Sequence, residues 1–135
     1  MVRKTEVKMV EGLRGGKGTA EVHHIVTAEE LRGHGKMYAK VVLAPHSSVG
    51  YHQHVGDTEP YYILSGHGVF IDNDGSRIPV GPEDVCIIEC GQSHGMENNS
   101  DEELVMMALV YNEKSGEQTW QSILTNTEIN RSRLR

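Results

Sequence analysis

The stretch that decides the fold is Gly50-Tyr51-His52-Gln53-His54-Val55-Gly56-Asp57-Thr58-Glu59-Pro60-Tyr61-Tyr62-Ile63-Leu64-Ser65-Gly66. On a strand, side chains alternate faces, so His52 and His54 project to the same side with their imidazoles close enough to share one ion. The turn Val55-Gly56-Asp57-Thr58 then reverses the chain and lets Glu59, on the next strand, come back across the pair. A third imidazole is supplied by His94, which opens a later strand after the turn Cys90-Gly91-Gln92-Ser93. In a closed barrel that strand can face the first. Three neutral imidazoles and one carboxylate form a borderline-hard donor set, suited to a divalent transition metal (Mn, Fe, Ni, Co or Zn) and poorly suited to calcium or magnesium.

Outward from this segment the chain reads as strands. Apolar or alternating runs occupy Ala20 to Val26, Met37 to Leu43, Gly50 to His54, Tyr61 to Leu64, Val69 to Asp72, Arg77 to Val80, Val85 to Ile88, His94 to Asn98 and Leu104 to Tyr111. Turn residues separate them, and Asp74-Gly75 between Ile71 and Ile78 is a hairpin signal. The single helical candidate is Thr27 to Arg32, with Thr27 as its cap. Short strands at even spacing with no helices between them predict an all-β antiparallel sandwich, jelly roll or barrel. The 135 residues suit one domain. The glycine cluster from Gly12 to Gly18 is read as a loop. Only three residues separate Gly12 from Gly16-Lys17, and Gly18 stands where a phosphate loop needs Ser or Thr.

A net charge of −6 argues against nucleic acid and anionic membrane as partners. The opening residues carry no signal-peptide pattern, and the longest apolar run, Leu104 to Tyr111, is too short to span a bilayer. A soluble, cytoplasmic protein is expected, and the closely spaced Cys86 and Cys90 suit reduced thiols. Leu104 to Tyr111 is apolar on both faces of its strand, and one face needs cover outside the barrel. A homodimer would supply it; Trp120, Ile123 and Leu124 of the tail are the other candidates.

At the ligand positions the chain resembles the cupin family. The family's first motif is His, one residue, His, three or four residues, Glu, six residues, Gly, and His52, His54, Glu59 and Gly66 fall on it. Its second motif ends in Gly, two residues, His, three residues, Asn, matched by Gly91, His94 and Asn98. Three turn positions depart from the pattern: His46 and Glu83 stand in place of glycines, and Glu89 in place of a proline. The resemblance implies a cupin double-stranded β-helix, a jelly-roll barrel with its core at about residues 20–112 between N- and C-terminal extensions. Alternation predicts that Tyr61 and Ile63 point inward with Glu59, and Met96 and Asn98 with His94.

Four ligands leave two positions of an octahedral ion open, which suits direct binding of a small oxygenated compound, carboxylate or sugar. Relatives with this ligand set include decarboxylases, dioxygenases, isomerases and lyases, and the chain most resembles small single-domain, oxalate-decarboxylase-like cupins. True oxalate decarboxylases resemble two such domains in one chain with an acidic lid, which argues against oxalate itself here. A metalloenzyme is the first expectation; a non-catalytic cupin that binds or senses a small molecule is the alternative. The two readings separate on whether an acid or base stands within reach of the metal-bound ligand. Tyr61 and His46 are the catalytic candidates; Asp57, Glu89 and Glu97 are possible general bases, of which alternation puts Glu97 outside and nothing singles out the other two. His23, His24, His34 and His67 are read as surface or core residues.

Overall fold

The structure, a computed structural model, describes residues 1–113. Trp120, Ile123 and Leu124 lie outside them. Ten strands follow in order: β1 (Glu6–Glu11), β2 (Thr19–His24), β3 (Gly35–Leu43), β4 (Ser47–Gln53), β5 (Asp57–Ser65), β6 (Gly68–Ile71), β7 (Arg77–Val80), β8 (Val85–Ile88), β9 (Ser93–Asn98) and β10 (Leu104–Asn112). They form a six-stranded sheet in the order β1-β2-β3-β10-β5-β8 and a four-stranded sheet in the order β4-β9-β6-β7. Every pairing is antiparallel. The sheets enclose a core whose fully buried side chains include Leu43, Ile63, Ile88, Met96, Leu104 and Met106. This is the all-β antiparallel architecture that the strand pattern predicts, in the jelly-roll form that the cupin resemblance implies.

Alternation sorts the side chains as expected. Glu59, Tyr61 and Ile63 point inward from β5, and His94, Met96 and Asn98 from β9. Outside, Tyr38, Tyr62, Leu64, Val85 and Ile87 stay exposed on the six-stranded sheet. This is the face for which the apolar pattern of β10 asks a cover. Asn98 closes one end of the barrel: its amide nitrogen donates to the carbonyls of Leu43, Ala44 and Glu102 at 3.1, 3.0 and 2.7 Å. Its side-chain oxygen accepts from the Ser100 amide and hydroxyl. The Asp74-Gly75 turn forms, with Gly75 at φ 84° and its N–H donating to Asp72.

Three elements differ from the expectation. β1 was not foreseen, because Val7 and Met9 remain exposed and its alternation reports no burial. β5 begins at Asp57, so half of the expected turn is strand. The helix candidate is a single turn. Thr27 and Glu30 form the reciprocal cap, Glu30 N–H to the Thr27 hydroxyl at 3.1 Å and Thr27 N–H to the Glu30 carboxylate at 2.9 Å. Arg32 and Gly33, both at positive φ, then end it.

The glycine cluster is a loop with structure of its own, a 3-10 turn over Leu13–Gly15 laid against β4. Glycine is required on both sides of this contact. A Cβ on Gly50 would lie 2.1 Å from the Arg14 carbonyl oxygen, and one on Gly16 would lie 2.1 Å from that of Ser48.

Two of the departures from the cupin pattern carry strain. His46 and Glu83, standing where the family has glycine, adopt φ 56° and 75°. Glu83 follows Pro82 in a turn closed by Asp84 N–H to the Gly81 carbonyl, 3.1 Å, the position where positive φ calls for glycine. Glu83→Gly should therefore stabilise the protein by about 0.5–1 kcal/mol, net of glycine's greater freedom when unfolded. Thermal denaturation should show a midpoint a few degrees higher, with no gain for Glu83→Ala. A lower midpoint for Glu83→Gly would contradict the assignment of strain.

Candidate metal centre

β4 and β9 are neighbours with His52 opposite His94, and the register slips between Val49 and His52, where Gly50 sits. His54 follows the end of β4. Its backbone is tied to the turn before β9 by His54 N–H to Gln92 O, 2.9 Å, and Gly91 N–H to His54 O, 2.7 Å. Glu59 comes from β5 in the facing sheet. One ligand atom from each of His52, His54, Glu59 and His94 falls within 4.8 Å of the other three.

The separations are specific. His54 Nε2 lies 3.1 Å from His52 Nε2, 3.0 Å from His94 Nε2 and 3.1 Å from Glu59 Oε1, and His94 Nε2 lies 3.1 Å from the same carboxylate oxygen. Nitrogens at adjacent corners of an octahedron, each about 2.1 Å from an ion, are about 3.0 Å apart. The proton positions point the same way. His52 Nδ1 must donate to the Gly50 carbonyl at 2.6 Å, since a carbonyl only accepts. His54 Nδ1 likewise meets the Asp57 carboxylate at 2.5 Å. In their neutral forms both rings then aim bare Nε2 lone pairs at one point, together with the Glu59 oxygen. Such convergence is repulsive unless a cation stands between, so these residues fit a divalent metal.

The surroundings hold the donors in place. Asp57 is buried and also receives Lys36 Nζ at 2.5 Å, so one carboxylate links a cavity lysine to a histidine of the cluster. His94 is held by packing: Tyr61 stacks on it at 5.0 Å and Phe70 meets it edge-on at 5.7 Å. Its buried Nδ1 has no hydrogen-bond partner among the described residues.

Without a metal the groups settle around protons. Burial raises the Glu59 carboxyl, but hydrogen bonds from His54 and His94 outweigh it and bring it to about 2. His54 is raised by its bond to Glu59, against burial and with help from Asp57. His52 is lowered, first by burial, and the charges of His94, Arg14 and His54 add to the effect. For Asp57, burial acts upward but the bonds from Lys36 and His54 prevail and lower it. Tyr61 is raised by burial and by the Glu59 charge, so its phenol keeps its proton.

His52, His54 and Glu59 of the cluster line a cavity of about 460 Å³, and His94 is fully buried beside them. Val22, Val41, Val49, Met106 and Ala108 supply apolar wall, and Arg14 and Lys36 bring positive charge. Tyr61 lines this cavity beside His94. His46, the other catalytic candidate, does not: it precedes β4 at the end opposite His52, where Nε2 pairs with Asp101 at 2.6 Å. His23, His24, His34 and His67 are outside the cluster. Lys36 and Arg14 were missed in the sequence, and Asp57, one of several possible general bases there, is instead a buried partner of His54 and Lys36. Asp57 shares parity with Glu59, a signal hidden when the residue is assigned to a turn.

An antiparallel double-stranded β-helix with a His and Glu cluster on its inner wall defines the class as a barrel of the metal-site type. The family model for the cupin domain matches residues 39–110, and the chain belongs to the cupin family. It is 39% identical over 112 residues to the "Oxalate-binding protein" of Thermotoga maritima, covering 82% of this chain and 92% of that protein. The crystal structure of a Thermotoga maritima protein described as a predicted oxalate decarboxylase matches with a TM-score of 0.78 and 37% identity, over 84% of this chain and 99% of that one. A Photorhabdus luminescens protein shares the fold at a TM-score of 0.65 and 18% identity, over 96% and 98% of the two chains.

Removing the carboxylate that orients His54 should weaken metal binding without unfolding the barrel. For Asp57→Asn we expect affinity for nickel or manganese to fall about 10–100-fold in competition with a chelator, while His23→Ala leaves it unchanged. Equal affinities for Asp57→Asn and the wild type would show that Asp57 does not support the site.

Proposed function

We propose that this cupin binds a small carboxylate of the oxalate type, held directly by a divalent transition metal on His52, His54, Glu59 and His94. The observation that carries the reading is the convergence of four donor atoms, three of them from residues that line a cavity sized for a small ligand. When bound, the ion supplies Lewis acidity and coordination positions for the oxygens of the ligand. The chain's own residues do the rest. Gly50 and Asp57 hold His52 and His54 with Nε2 as the lone-pair atom, and Val22, Val41 and Met106 supply apolar wall. The relative named as oxalate-binding supports the ligand class.

Turnover is the second reading, and what separates it from binding is a free acid or base. The cavity's carboxylates are both engaged: Glu59 faces His54 and His94, and Asp57 is shared by His54 and Lys36. Tyr61 keeps its proton and so offers no base, and the burial and Glu59 charge that raise it make its phenol a poor acid. Binding without conversion is therefore the reading this geometry favours.

Titration calorimetry of manganese-loaded protein with oxalate, followed by mass spectrometry of the recovered ligand, tests both points. We expect metal-dependent binding, abolished by prior chelation, with oxalate recovered intact. Equal binding to metal-free protein would overturn the direct-coordination reading, and release of carbon dioxide or formate would replace binding with catalysis.

A further inference from the structure

The cavity contains one cation that the metal centre does not use. Among the described residues, Lys36 is paired with Asp57, whereas Arg14 makes no ion pair or side-chain hydrogen bond while lining the same cavity. Its position is built. Arg14 sits at φ 54° in the 3-10 turn, a conformation that disfavours any residue with a Cβ. The turn is pinned by Gly12 N–H to Gly18 O, 2.9 Å, and by Lys17, whose N–H donates to the Ser48 hydroxyl and whose carbonyl accepts from Ser48 N–H, both at 2.9 Å. Its backbone rests on Gly50 too closely for a Cβ there. The carbonyl of that same glycine accepts from His52 Nδ1, so one residue fixes both Arg14 and a metal-ligand histidine.

Charge balance indicates what this cation would meet. Lys36 and Asp57 cancel, and Glu59 offsets half of a divalent ion. Arg14 then leaves the loaded cavity with two uncompensated positive charges, the complement of a dianion. A guanidinium also presents paired N–H donors that match a carboxylate edge.

Resting on the carboxylate reading given above, we propose that Arg14, carried on the N-terminal turn, binds the carboxylate oxygens of the ligand that face away from the metal and so makes the site selective for dicarboxylate dianions over monocarboxylates. Arg14 is exposed at the cavity mouth, so its substitution leaves the core intact.

The test uses manganese-loaded full-length protein, with oxalate and acetate as probes in calorimetry and metal content measured after each titration. Arg14→Gln should weaken oxalate binding roughly 10–100-fold, the loss expected for a charged hydrogen-bonded contact, while acetate changes less than about threefold. Arg14→Lys should recover part of the loss, and metal content should match the wild type in both variants. If the wild type binds oxalate and Arg14→Gln binds it within about twofold, the role of Arg14 is overturned and the carboxylate reading stands. If the metal-loaded wild type binds neither probe, the carboxylate reading itself fails. A parallel loss for acetate and oxalate would overturn the selectivity for dianions.

Discussion

The site depends on an electrostatic conflict, the meeting of imidazole nitrogens and a carboxylate oxygen at about 3 Å, with the outer nitrogens of His52 and His54 committed to other acceptors. Such a meeting is tolerable around protons or around a metal ion. Its existence depends on register. His52 must stand opposite His94 across two strands of one sheet, and Glu59 must arrive from the other. A slip of one residue on any of these strands would turn a ligand outward and leave the remaining donors unsatisfied inside.

The two ends of the barrel solve different problems. At one end Asn98 ties the chain before β4 to the turn before β10 through backbone carbonyls, a use of a buried polar side chain that serves folding alone. Towards the other end the buried polar groups, His54, Asp57 and Glu59, face a cavity, and their mutual bonds hold ligand atoms in place. Gly50 joins scaffold and site, because the absence of a Cβ there admits the N-terminal turn while its carbonyl orients His52.

Much of this was legible because period-two alternation encodes strands directly. β7 and β8 fall on their expected residues, and with Glu59 and His94 each fixed inward, Tyr61 follows on β5 and Met96 and Asn98 on β9 by parity. What escaped has physical reasons. β1 lacks a buried face, so its pattern carries no information about burial. The place of Asp57 beside His54 was hidden by its turn-like neighbours Val55 and Gly56, although the strand begins at Asp57 itself. Arg14 reaches the cavity by a contact distant along the chain, which local periodicity cannot express. Motif spacing, by contrast, located strain: the non-glycine residues at 46 and 83 are both left-handed.

Whether His52, His54, Glu59 and His94 hold one divalent transition metal ion is tested most directly by elemental analysis of protein reconstituted with manganese, iron, nickel or zinc and then dialysed. The account predicts about one ion per chain for the wild type and for His67→Ala, and a loss of nearly all metal in folded His52→Ala and His94→Ala. Wild type carrying less than about a tenth of an ion per chain, or His67→Ala losing metal as readily as His52→Ala, would contradict it.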